Sequence, residues 1–194
     1  MLSDYCPSRH RTVRRLTRVE TRSVEQPINL NDGDDVFNWP WLYAVQTGQW
    51  RLTDAQAARL REYLLRGGFF MCDDFWGEDE WDNFYREIKR VFPDREPTEL
   101  PLDHPIFHCV YDLKEKPQIP SIHAWMNGQT TERWDAPEPH YRALFDDRGR
   151  MMVIICHNTD LGDGWEREGE DPWYFHEFSE KKSYPLGINI LFYN

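Results

Sequence analysis

Gly67-Gly68-Phe69-Phe70-Met71-Cys72-Asp73-Asp74-Phe75-Trp76-Gly77 decides how this chain is read. Two glycines close a helix, four residues form an apolar run that reads as a short buried strand ending at Asp73, and two adjacent carboxylates stand at its end. In an open α/β sheet, ligands bind outside the carboxyl ends of the strands, so the acids lie where a crevice is expected. Carboxylates are costly to desolvate there, and a purely structural account must name their partners.

Outward from this run, Thr53 begins a helix to about residue 66. Gln56 stands at the capping-box position, and Leu60, Tyr63 and Leu64 form its apolar stripe. Before it, residues 41–45 read as a buried strand closed by Gly48. After the acids, residues 78–91 read as an amphipathic helix with Trp81, Phe84, Tyr85, Ile88 and Val91 inward, stopped by Pro93. Two strand–helix units in succession, 41–66 and 69–91, predict an α/β fold with a mostly parallel sheet.

Residues 151–156 (MMVIIC) read as a further buried strand, followed by an acidic loop from His157 to Asp171. Residues 93–140, with eight prolines, read as a loop-rich excursion with short strands near 106–111 and 121–126. Residues 7–18 suggest a basic helix, residues 19–24 alternate like a strand, and the apolar tail 186–193 fits helix or strand.

Composition narrows the function classes. The 194 residues carry a net charge of −11, which argues against nucleic acid as a general partner, although six arginines precede residue 26. They read as an exposed basic face or, less simply, as a nucleic-acid arm or transit peptide. No apolar stretch is long enough for a membrane span. Cys6, Cys72, Cys109 and Cys156 show no CxxC spacing, and Cys72 and Cys156 read as buried thiols. There is no P-loop, GxGxxG, GxSxG or HExxH.

Two loops remain as carriers of chemistry. In the first, Asp73 and Asp74 either orient a ligand or act as general base, with Trp76 as aromatic platform, or they cap the following helix or bond a loop backbone. The second is Cys156-His157-Asn158-Thr159-Asp160-Leu161-Gly162-Asp163-Gly164-Trp165-Glu166, whose acids do not match EF-hand spacing. His123 and His157 are the histidines to watch, each following an apolar or strand-like stretch. The other reading for each is a satisfied structural imidazole.

The segments LREYLLRGGFFMCDDFWG, WDNFYREIKRVFPDR, HPIFHCVY and GRMMVIICHNTDLGDGWE resemble a bacterial domain-of-unknown-function family, DUF4159, over nearly the whole chain. The resemblance implies a three-layer α/β/α sandwich, flavodoxin-like and similar to class I glutamine amidotransferases and trehalose-utilisation-like domains. It implies no activity, substrate or cofactor. Family members usually carry a strand ahead of an Asp-Tyr pair that matches Asp4-Tyr5, so one domain over 1–194 is expected here, short of that strand. The proline usual after Tyr is replaced by Cys6. The amidotransferase elbow reads Asp74-Phe75-Trp76, so a Cys-His-Glu triad is not expected.

The expectation is therefore a ligand-binding or hydrolase-like crevice for a polyhydroxylated small molecule. Asp74 and Glu166 would form an acid–base pair, and Asp73, Trp76, His123, His157, Asn158, Asp160, Asp163 and Trp165 would line it. No cofactor and no metal site is included, although a divalent ion on Asp74, Asp160 and a histidine is a further reading. The alternative class is a non-catalytic protein-interaction module presenting Trp39, Trp41, Trp125, Trp134 and Trp173 as an exposed patch. No compartment follows from the sequence.

Overall fold

The computed structural model describes residues 16–17, 19–20 and 26–194. Most of the expected helix over 7–18, Cys6 and most of the strand-like stretch 19–24 lie outside the described residues.

Strand β1 (Trp41–Val45) leads through a 3-10 turn (Thr47–Gln49) to helix α1 (Asp54–Leu65). The capping box forms: Thr53 Oγ1 accepts from the Gln56 amide at 3.2 Å, and Gln56 Oε1 accepts from the Thr53 amide at 2.8 Å. Strand β2 (Phe69–Asp73) follows, buried throughout, then α2 (Gly77–Val91). On α2, Phe84, Ile88 and Val91 face inward, whereas Tyr85 is exposed and its hydroxyl donates to Glu96.

The middle of the chain departs from expectation. The stretch near 106–111 contains a 3-10 turn (Pro105–Phe107), and residues 121–126 contain helix α3 (Ile122–Met126). In each case a side chain captures a free amide: His104 Nδ1 accepts from Ile106, and Ser121 Oγ accepts from Ala124. Strand β3 (Thr98–Glu99) and strand β4 (His140–Phe145) also lie in or border this region. Strand β5 (Met151–His157) is buried throughout, and its acidic loop winds into α4 (Leu161–Glu166). A short α5 (Pro172–Tyr174) continues as a π-helical stretch (Phe175–Ser183) and then as α6 (Tyr184–Tyr193), so the apolar tail is helical.

Among the described residues, the strands form one five-stranded sheet in the order β1-β2-β5-β4-β3. Strands β1, β2 and β5 are parallel neighbours; β4 is antiparallel to β5, and β3 to β4. Four strands thus run one way and β4 alone opposes them, which makes the fold α/β with a mostly parallel sheet. Alternate residues of β2 enter two separate cores: Phe69 and Met71 join Ile154, Leu161 and Leu186, while Phe70 and Cys72 join Leu60, Phe84 and Ile155. Both faces of the sheet are covered, which explains the continuous apolar runs of β2 and β5. Cys72 and Cys156 are buried free thiols. Among the described residues, no helix is long and apolar enough to cross a membrane.

Gly77 shows how tightly the start of α2 is built. Its φ is +76°, and an added Cβ would stand 2.6 Å from Asp135 Oδ1. Gly77→Ala is expected to cost about 1–2 kcal/mol, from the left-handed backbone and displacement of Asp135. Urea titration checks this; a variant as stable as wild type would show that the Asp135 contact has no hold on the helix.

Candidate functional site

The chain leaves β2 through a kink at Asp74, whose φ is +52°, a left-handed conformation that Asp tolerates better than most residues. The Gln46 amide donates to the carbonyls of both Asp73 and Asp74 at 3.1 and 2.9 Å. The Asp74 amide donates to Thr159 O, and Phe75 forms an antiparallel bridge with Thr159. These bonds join the exits of β1, β2 and β5, and the kink sends the two neighbouring carboxylates to different surroundings.

Asp73 turns into the protein. It is fully buried, and its carboxylate accepts from the Tyr43 hydroxyl (2.8 Å), the Leu161 amide (3.3 Å) and the Gly162 amide (3.0 Å). It therefore braces the start of α4 from the end of β2. Burial pushes its pKa up to about 6, against the lowering effect of those donors. Gly162 fits this brace because a Cβ there would stand 2.7 Å from the Tyr43 hydroxyl.

Asp74 meets Glu132 and Asp160, with one carboxylate oxygen of each lying within 4.8 Å of the others. Among the described residues, none of the three makes an ion pair with Lys, Arg or His. Burial, followed by the charges of Asp73 and Glu132, raises Asp74 to about 7. Asp160 is pushed well above the carboxylate range by burial and by Asp74 and Asp163. Burial also raises Glu132, whose carboxylate accepts from the Ser121 amide at 2.9 Å. Carboxylates crowded in this way share protons rather than ionise together. The same three oxygens could hold a hard cation such as Mg²⁺, Mn²⁺ or Ca²⁺.

The remaining residues named from the sequence separate into those near this cluster and those with structural duties. Asp160 caps α4, accepting from the Asp163 amide at 2.8 Å. Glu166 Oε1 lies 3.5 Å, and Asp160 Oδ1 3.1 Å, from a Cβ built on Gly162, so Glu166 and Asp160 both flank Gly162. Trp165 is half-buried beside Tyr43, with ring centroids 6.1 Å apart. Asp163 ties helices together: its Oδ2 accepts from the Ile122 amide and its Oδ1 from Arg167.

Trp76 is only 3 % exposed and offers no open platform; its indole N–H instead donates to Asp74 Oδ1 at 3.2 Å. His157 is enclosed by the Phe75, Trp81 and His140 rings. Burial lowers it to about 4, leaving a neutral ring that donates from Nε2 to Gly77 O and accepts at Nδ1 from Arg142. That arrangement is the structural imidazole, with no nitrogen left for a ligand. Asn158, at φ +62°, accepts from the Gly77 amide and donates to Glu138 O, which makes it a clamp. His123 is exposed on α3 and makes no side-chain bond with the cluster.

Of the structural readings of Asp73 and Asp74, bonding to a loop backbone holds for Asp73, through the Leu161 and Gly162 amides, and capping of α2 holds for neither. The first amides of α2 are taken by other groups: Trp76 N by Glu80, Gly77 N by Asn158 and Glu78 N by Asp135. Glu132 had no sequence signal, because it lies in a loop without periodicity and reaches the cluster only through the tertiary fold.

The family model described as Domain of unknown function (DUF4159) matches residues 7–194, so the chain belongs to that family. A search of curated proteins found no match.

Proposed function

We propose that this DUF4159 domain binds a polyhydroxylated small molecule at the carboxyl ends of β2 and β5, in a hydrolase-like crevice where Asp74 gives or takes the proton. The observation carrying this reading is the meeting of Asp74, Glu132 and Asp160 with no cationic partner among the described residues. Unopposed carboxylates are hydrogen-bond acceptors, and a ligand rich in hydroxyl donors satisfies them without bringing charge. A carboxyl that titrates near 7 is suited to proton transfer at neutral pH. Glu166, which flanks Gly162 together with Asp160, would be the partner of Asp74 in the acid–base pair. We further infer the three-layer, flavodoxin-like arrangement of class I glutamine amidotransferases, supported by cores on both sheet faces. The catalysis of those enzymes is not carried over.

The alternative, a non-catalytic protein-interaction module with a degenerate amidotransferase-like fold, has less support. Of the tryptophans expected to form its patch, Trp41 and Trp125 pack against the core, and Trp134 and Trp173 are exposed.

A thermal-shift screen of polyols, sugars and divalent cations against wild type and Asp74→Asn tests the reading. A polyol or sugar is expected to stabilise wild type and to lose about tenfold or more in affinity with Asp74→Asn. A ligand that stabilises both equally would move the site elsewhere. Stabilisation by a cation alone, lost in Asp74→Asn, would replace the polyol with a metal.

A further inference from the structure

We infer that the π-helical stretch Phe175–Ser183 positions the candidate site: through Tyr174 and Ser183 it sets where the segment holding Glu132 stands relative to Asp160. This rests on the carboxylate cluster proposed above being the site. Helices α5 and α6 continue the stretch without a break, since Tyr174, Phe175, Ser183 and Tyr184 all have helical dihedrals, with φ of −57°, −55°, −68° and −62°. Inside it the Tyr184 amide donates to Ser179 O, five residues back. Such turns are rare beyond a single bulge and recur at functional sites. They carry a local cost here, because the Ser179 hydroxyl is buried with no partner among the described residues. Costly geometry of this kind persists where its surroundings over-determine it.

The surroundings are two segments that carry the cluster. At one end of the stretch, buried Tyr174 donates its hydroxyl to Pro120 O at 2.8 Å, and the amide of the next residue, Ser121, donates to Glu132. At the other end, buried Ser183 donates its hydroxyl to Leu161 O at 2.7 Å, directly after Asp160. Leu161 is thus gripped twice, its amide by Asp73 and its carbonyl by Ser183. Ser183 also requires glycine at 164, where an added Cβ would stand 2.4 Å from its own. The two anchored segments lie side by side: the Asp160 amide donates to Ile119 O, and the Ile122 amide to Asp163 Oδ2. Tyr174 and Ser183 must therefore face the same way. At about 3.6 residues per turn, the separation from 174 to 183 would be about two and a half turns and would set them on opposite faces. Turns closed five residues back hold more residues each, so the same separation is about two turns and returns both side chains to one face. The wide register is what lets one helix hold both segments.

Solution NMR on the full chain tests this without a ligand, because each carboxylate has a reporter N–H: the Trp76 indole for Asp74, the Ser121 amide for Glu132 and the Asp163 amide for Asp160. Ser183→Ala is expected to move the distant Ser121 signal as well as that of Asp163, and Tyr174→Phe to move Asp163 as well as Ser121. Amide exchange at Gly162 and Asp163 should become about tenfold faster in Ser183→Ala, the worth of one hydrogen bond. Ser183→Cys, a weaker donor of similar size, should give the same pattern at smaller amplitude, and it serves if Ser183→Ala does not fold. Glu180→Gln, on the exposed face of the stretch, should move none of the three reporters. Variants that each disturb only the reporter beside them overturn the inference, since the helix would then be packing and no more. A coupling through the hydrogen bond from the Tyr184 amide to Glu180 O in place of Ser179 O also overturns it, by showing ordinary α-helical register. Cross-effects in a protein that binds no polyol would uphold the positioning and refute the polyol reading alone.

Discussion

Asp73→Ala is expected to destabilise the domain by about 3–5 kcal/mol, a large part of the 5–15 kcal/mol typical of a folded domain. The deletion strands three buried donors at once: the Tyr43 hydroxyl and the Leu161 and Gly162 amides. Each unsatisfied donor costs roughly 1–3 kcal/mol, and relief from burying the carboxyl itself offsets part of the sum. Asp73→Asn keeps the shape, but its amide must turn a donor toward either Leu161 N or the Tyr43–Gly162 pair. A loss of about 1–3 kcal/mol is expected there. The midpoint of urea unfolding, at unchanged slope, measures both. A double-mutant cycle with Tyr43→Phe should show coupling, since the two residues share a bond. Asp73→Ala within about 1 kcal/mol of wild type would mean that water satisfies those donors and that the brace between β2 and α4 is not structural.

The contrast between Asp73 and its neighbour explains what could be read in advance. The strand–helix alternation, the capping box at Thr53 and the apolar runs of β2 and β5 are local signals, and each formed within a residue or two of its expected bounds. Strand β4 escaped because its sequence, HYRALF, follows a proline-rich stretch and places Arg142 between buried Tyr141 and Ala143. That guanidinium is accommodated only by tertiary partners: it lies 3.9 Å from the Trp81 ring centre and pairs with Glu99.

Around the acids, position along the strand was legible and direction was not. Whether a carboxylate at a strand end enters the core or the crevice depends on the next φ, and nothing in Asp73-Asp74-Phe75 announces +52°. Glu132 and the clamps at Asn158 and Asp135 are contacts between segments distant in sequence. Periodicity carries no information about such contacts, which is why His157 and Trp76 could look like ligand contacts while serving as supports.

The cluster's crowding has a thermodynamic signature that separates it from an ordinary acidic surface. The ordinary Asp value is 3.8, whereas Asp74 is raised to about 7 in the folded chain, so between those limits the native state holds more of its proton than the unfolded state does. Stability therefore falls as pH rises through that window and levels off above it. Asp73, raised to about 6, adds a term of the same sign. His157 acts oppositely: lowered from 6.5 to about 4, it favours the folded state as pH rises between those values. The wild-type profile alone mixes these terms, but its difference from Asp74→Asn isolates one residue. Asn is well suited to the left-handed backbone at this position, and its carbonyl oxygen can still accept from the Trp76 indole. The variant thus removes the charge and keeps the bond. Its melting temperature is expected to match wild type near pH 4 and to exceed it increasingly up to about pH 7–8. The gain there should be about 1–2 kcal/mol, or roughly 3–6 °C for a domain of this size. Removing a charge from a surface acid would leave the two curves parallel, and parallel curves here would mean that neither burial nor the neighbouring carboxylates raise Asp74. A variant more stable than wild type at neutral pH and unable to bind ligand is what a site maintained at a cost in stability predicts.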